Sequence, residues 1–151
     1  MKVQYSNDVF CTREEAWSLI TDFSRRPEWI PFMEKCFITE KKEGWVGSRY
    51  QEKEVFLGIP LNINYEITVW KEMEQLSSKC LMPPFYPVVN IYLKDVPGSN
   101  KVNSTLELDL EIGILGLLPK SIIKKQIDHL IQPMIDNYIR ILETNTSLKK
   151  A

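Results

Sequence analysis

The stretch Leu106-Glu107-Leu108-Asp109-Leu110-Glu111-Ile112, running into Gly113-Ile114-Leu115-Gly116-Leu117-Leu118-Pro119, decides how this chain folds. Its first seven residues alternate leucine or isoleucine with acidic side chains, the pattern of a strand with one dry and one wet face. The next seven are apolar and broken by two glycines and a proline. Behind them, residues 120–143 repeat apolar positions at helical spacing. On a wheel of about 100° per residue, Ile123, Ile127, Leu130, Ile131, Met134, Tyr138, Ile141 and Leu142 fall within an arc of roughly 120°. Pro133 lies off the centre of that stripe, so its missing hydrogen bond bends the helix around its support and leaves the contact intact. A curved sheet closed over by a C-terminal helix, with an oily loop at the hinge, encloses a cavity, and a cavity suggests a ligand.

Reading outward from this stretch, residues 32–112 carry the signals of an antiparallel meander. Turns are marked at Glu43-Gly44, Gly58-Ile59-Pro60 and Pro97-Gly98-Ser99-Asn100. The clearest strand spans residues 61–70, with Leu61, Ile63, Tyr65, Ile67 and Val69 on one side and Asn62, Asn64, Glu66 and Thr68 on the other. Further strands are expected over 36–40, 47–57, 76–82 and 87–96, joined by hairpins. Before the meander, residues 2–10 alternate as a half-buried strand. Thr12 then takes the N-cap position and Glu15 completes a capping box. The helix that follows carries Ala16, Trp17, Leu19, Ile20 and Phe23 and ends before Pro27, which opens a second helical turn over 27–30. The polar tail 144–151 is expected to fray.

Composition narrows the function classes. At 151 residues the chain fits one domain. A formal net charge of −1, with 26% charged residues spread along the chain, supplies no field to grip a phosphate backbone, so nucleic acid is not expected as a partner. No apolar run approaches the ~20 residues that span a bilayer, and no cleavable leader is evident; the expectation is a soluble cytoplasmic protein. Cys11, Cys36 and Cys80 are odd in number and widely spaced, which argues against a disulfide framework and a zinc site. They read as small core residues.

The order strand, two short helices, long meander, long terminal helix resembles the helix-grip fold of the START/SRPBCC superfamily, birch-pollen-allergen-like proteins included. Within it the chain is most similar to the polyketide cyclase/dehydrase and lipid-transport group. The resemblance rests on Val9-Phe10-Cys11-Thr12-Arg13-Glu14-Glu15-Ala16-Trp17, on DFSRRPEWIP at 22–31, on Gly44-Trp45-Val46-Gly47-Ser48, and on the terminal helix ending in Leu142-Glu143. It implies an α+β fold in which an antiparallel sheet of six to seven strands (β-α-α-β-meander-α) wraps the C-terminal helix as one domain over 1–151. It also implies a deep apolar cavity, used by relatives to hold lipids, sterols, quinones or polyketides. Most such relatives are binders or carriers; a minority are cyclases, dehydratases or hydrolases.

Each candidate site residue has a plainer reading beside it. Trp29, Phe32, Tyr50, Tyr65, Phe85, Tyr86 and Tyr138 either line a cavity or fill the core. Ile67, Met82, Leu108, Ile127, Leu130 and Met134 complete the expected ligand-binding set. The run 81–87, with Pro83-Pro84, forms either a cavity rim or a plain sheet bend. Leu115, Leu117 and Leu118 beside Lys120, Lys124 and Lys125 form either a membrane-surface knuckle or a folded-back lid or dimer contact. His129 falls roughly 150° from the apolar stripe and should face water. Glu107, Asp109 and Glu111 belong to a wet strand face. Glu52 and Glu54 point inward if Tyr50 does, where burial would raise a carboxyl pKa; Arg49 and Lys53 on the other face leave that register undecided.

The leading expectation is a non-enzymatic binder or carrier of a hydrophobic molecule such as a lipid, quinone or polyketide-like compound, with no cofactor and no metal. A second is a cyclase or dehydratase in which Glu52, Tyr65 or Tyr138 moves protons. A third is a protein-interaction module of the chaperone-activator kind.

Overall fold

Every segment with period-two alternation becomes a strand of one antiparallel sheet. The computed structural model describes residues 1–56, 58–83, 86–111 and 113–146. Among these, the strands are β1 (Lys2–Phe10), β2 (Met33–Glu40), β3 (Arg49–Phe56), β4 (Ile59–Lys71), β5 (Gln75–Cys80), β6 (Val88–Asp95) and β7 (Lys101–Asp109), in the spatial order β1-β7-β6-β5-β4-β3-β2. Consecutive strands from β2 to β7 are neighbours, and β1 returns to pair with β7 from Lys2↔Asp109 to Phe10↔Lys101. Two α-helices, α1 (Arg13–Thr21) and α2 (Lys120–Asn145), and two 3-10 turns, Phe23–Glu28 and Gly113–Leu117, are the other elements among the described residues. This is the helix-grip architecture.

Local chemistry explains the boundaries. The Thr12 hydroxyl accepts the Glu15 backbone N–H at 3.1 Å and so starts α1 at the expected cap. Expectation and structure part in several places. The helical turn expected over 27–30 is a 3-10 turn over Phe23–Glu28 with Pro27 inside it, because the chain tightens directly after α1. β2 begins three residues before the expected Cys36, and β7 ends at Asp109, short of the expected Ile112, which lies outside the described residues. The tail is not frayed from residue 144: α2 continues through Asn145 and Thr146 is fully buried. Residues 147–151 lie outside the described residues.

β4 departs from strict alternation. A register irregularity between Ile67 and Val69 lets Trp70 pack on the core, whereas Leu61 at the outer end is exposed. Trp70 stacks on Trp45 at 4.6 Å and meets the edge of Trp17 at 5.3 Å. Trp45 sits at φ 70°, a region that costs a non-glycine residue about 1–3 kcal/mol, and this stacking holds it there.

α2 turns Ile123, Ile131, Met134, Ile135, Tyr138 and Leu142 inward. Two hydrogen bonds fasten it to β1: the Tyr5 hydroxyl donates to Asp128 at 2.5 Å, and the Phe10 backbone N–H donates to Glu143 at 3.0 Å. The helix is therefore tied to the sheet edge at two points, about a third of the way along it and near its C-terminal end.

Candidate functional site

Between the sheet and α2 lies a cavity of about 260 Å³. Its apolar walls follow from the two periodicities. Leu106, Leu108 and Leu110 share one face of the β7 segment, Val89 and Ile91 share one face of β6, and α2 contributes Leu130, Ile131, Met134, Ile135 and Tyr138 at helical spacing. Trp29, Ile30, Phe32 and Met33, from the segment after α1, close one end.

Rings supply much of the wall. Tyr50 and Tyr65 face each other across β3 and β4 and stack at 5.2 Å, 8° from parallel. Trp29 and Tyr138 lie 5.5 Å apart at 54°. The Tyr138 hydroxyl hydrogen-bonds Ser104 at 2.9 Å, and the Tyr50 hydroxyl is held by Ser78 and Arg26. Burial pushes Tyr50 up to about 12 and raises Tyr65 and Tyr138 as well. All three keep their protons at neutral pH and so do not serve as bases.

One corner is polar. The register Tyr50↔Tyr65, Glu52↔Ile63 and Glu54↔Leu61 turns Tyr50, Glu52 and Glu54 to the same side, and leaves Arg49 and Lys53 exposed. Arg26, buried on the 3-10 turn, reaches Glu52 at 3.1 Å and lies over the rings of Phe23 and Tyr50 at 4.4 and 5.0 Å. A buried pair of this kind is costly to break: removing one partner typically destabilises by about 3–5 kcal/mol. Glu54, two residues on, is pushed up to about 9 by burial first, then by its hydrogen bond to Glu52 and the repulsion between the two carboxyls. It carries its proton at neutral pH.

Of the residues singled out from sequence, Trp29, Phe32, Tyr50, Tyr65, Leu108, Leu130, Met134 and Tyr138 line the cavity, and so does Glu52. The remaining described members of that set are not among its lining residues. Ile67 is sealed in the core, because it lies on β4 just before the register shift. Met82 turns its sulfur to the Asn64 backbone N–H at 3.4 Å, and Tyr86 is exposed. Ile127 packs against the core without reaching the cavity wall. Leu117 is 86% exposed, and Leu118 is exposed beside it, so neither folds back as a lid. Phe85, Pro84 and the Leu115 side chain lie outside what is described. Lys120 and Lys125 are exposed, whereas Lys124 is paired with Asp128 at 2.8 Å. His129 faces solvent. The cysteines are free and buried, and no cluster of metal-ligating side chains occurs among the described residues.

Sequence reasoning missed Arg26, Ile135, Tyr5 and Ser104. Ile135 lies one turn from Ile131 and two from Leu142, so a wider stripe would have included it. Nothing in the sequence separates the buried Arg26 from its exposed neighbour Arg25, which pairs with Glu28 at 2.6 Å.

Comparison with known proteins agrees with this geometry. Residues 1–144 match the family model described as polyketide cyclase / dehydrase and lipid transport. Among solved structures, a START superfamily protein from Mycobacterium smegmatis superposes with a TM-score of 0.79 at 15% identity, covering 96% of this chain and 99% of that one. A protein from Thermus thermophilus gives 0.75 at 14% identity, covering 97% and 100%. The ginseng major latex-like protein 151 from Panax ginseng gives 0.71 at 17% identity, covering 94% and 97%. A search of curated protein sequences finds no match. No helix among the described residues is long and apolar enough to cross a membrane.

Proposed function

Since the chain belongs to the polyketide cyclase / dehydrase and lipid transport family, we propose that it binds and carries a small hydrophobic molecule between the sheet and α2. The observation that carries this reading is the 260 Å³ apolar cavity beneath the helix. It also argues for a carrier over an interaction module, whose cavity would be collapsed. Somewhat below the ~300–1,000 Å³ usual for ligand pockets, such a space suits a small ligand. That is a single medium-length chain or a one-ring compound, and a two-tailed lipid would have to displace the walls. Removing roughly 250 Å² of ligand surface from water contributes ~6 kcal/mol before the cost of ordering. Native mass spectrometry of gently purified protein, followed by organic extraction, should reveal a co-purifying lipophilic species. Persistently empty protein that ignores a panel of medium-chain and aromatic compounds would refute the reading.

Contact with a lipid surface fits the same reading. Leu117, Leu118 and Ile122 are exposed together at the start of α2, with Lys120 and Lys125 exposed beside them. Apolar side chains flanked by lysines suit an anionic headgroup boundary. This patch would be where a carrier collects its cargo.

A second reading, a cyclase or dehydratase, is favoured by the protonated Glu54 carboxyl, a proton source inside an apolar cavity. Its test is Glu54→Gln, which would abolish turnover of a bound polyketide-like substrate while preserving binding.

A further inference from the structure

Among the described residues, the charged side chains lining the cavity are Arg26, Glu52 and Glu54. Arg26 gives its guanidinium to Glu52 at 3.1 Å and to the Tyr50 hydroxyl. Glu54 is hydrogen-bonded to Glu52. One cation and two carboxyls sharing a proton sum to zero. The polar corner therefore carries no net charge to offset an anionic guest. It does hold hydrogen-bonding capacity. Two buried donors on residues of the cavity wall, the Trp29 indole N–H and the Arg26 Nε–H, have no acceptor among the described residues, and a buried donor left without one costs about 1–3 kcal/mol. The carboxyl of Glu54 bonded to Glu52 retains lone pairs on its other oxygen. Donors without acceptors, and a carboxyl oxygen, on residues of one apolar cavity wall match an uncharged oxygen function.

Resting on the carrier reading above, we propose that the cavity selects an uncharged hydroxyl- or carbonyl-bearing apolar molecule and rejects the carboxylate of the same chain length. A carboxylate would enter a low-dielectric site whose one cation is already paired, beside two acidic groups. An alcohol loses far less on leaving water and can satisfy Trp29. Rejection is then built into the charge balance of three residues, and it is independent of chain length.

The test is displacement of a fluorescent apolar reporter from the full chain at pH 7 by 1-octanol, 2-octanone, octanoate and octylammonium, with octane as the headless control. The expected order places octanol and octanone at least tenfold tighter than octanoate and tighter than octane. Octanoate binding as well as octanol overturns the proposal. So does octylammonium binding tightest, which would make the acidic pair a cation site. If all five displace equally, the carrier reading survives and the head-group selection falls; if none displaces, both fall. Glu52→Gln with Glu54→Gln leaves the Arg26 charge unpaired and is expected to reverse the order in favour of octanoate. An unreversed order in a folded double variant counts against the proposal, and the parent comparison decides the matter should that variant fail to fold.

Discussion

Glu54 offers the sharpest quantitative test of the cavity's electrostatics. Its carboxyl holds a proton up to about pH 9 in the folded chain, against an ordinary glutamate value of 4.5. Between those values the folded state binds the extra proton, so stability falls as pH rises, by up to ~1.4 kcal/mol per pH unit. Below pH 4.5 both states are protonated and the penalty vanishes. Glu54→Gln keeps the shape and the donor to Glu52 but has no proton to lose. At pH 7 its gain over the parent has a ceiling of roughly 3 kcal/mol; solvent reaching part of the carboxyl reduces this to about 1–2 kcal/mol. With urea slopes of about 1–3 kcal/mol per molar, the unfolding midpoint should rise by roughly 0.5–1 M at pH 7 and converge with the parent at pH 4. Subtracting parent from variant cancels the other carboxyls. A gap of the same size at both pH values, or a destabilised variant at pH 7, would refute the assignment of a buried neutral acid. A gain in stability would also identify Glu54 as a place where the fold gives up stability for its site.

Three further outcomes are expected. Tyr5→Phe removes the hydroxyl that ties Asp128 to β1; amide hydrogen exchange in the first half of α2 should accelerate and bound ligand should leave faster, and unchanged exchange would show that the tie holds nothing. Leu117→Asp with Leu118→Asp should slow collection of cargo from anionic vesicles while leaving the urea midpoint unaltered; equal rates would remove the surface patch from the account. Thr12→Ala deletes the α1 cap and should cost about 1 kcal/mol in urea unfolding with ligand affinity intact, and a loss of affinity would mean that α1 shapes the cavity more directly than its contacts indicate.

The fold was legible because period and punctuation agree. Leucines at 106, 108 and 110 stay on one face all the way along β7 and into the cavity, and the apolar stripe of α2 is wide enough to survive Pro133. The site was half legible. Tyr50 and Tyr65 are large apolar-bodied residues at alternating positions, so their inward aim follows from pattern. Glu52 and Glu54 do not reveal theirs, because charged residues occupy both faces of β3 and only the sheet register that buries Tyr50 settles which side is dry. Ile67 shows the converse failure: it shares Tyr65's face, but the register irregularity that follows seals it in the core. Arg26 was hidden for a different reason. Its burial is decided by a partner far along the chain, Glu52 on β3, which no local window contains.

The pairing of β1 with β7 has a consequence for assembly. Hairpins from β2 to β7 join neighbours along the chain and form as soon as both arms exist, whereas Lys2–Phe10 must wait for Lys101–Asp109. Such distant partners slow the search and raise its entropic cost. During synthesis the first strand emerges earliest and docks among the last, and Tyr5 and Asn7 reach the cavity only then. A nascent domain is consequently blind to its guest until β7 and α2 have left the ribosome, and recognition begins where its folding finishes.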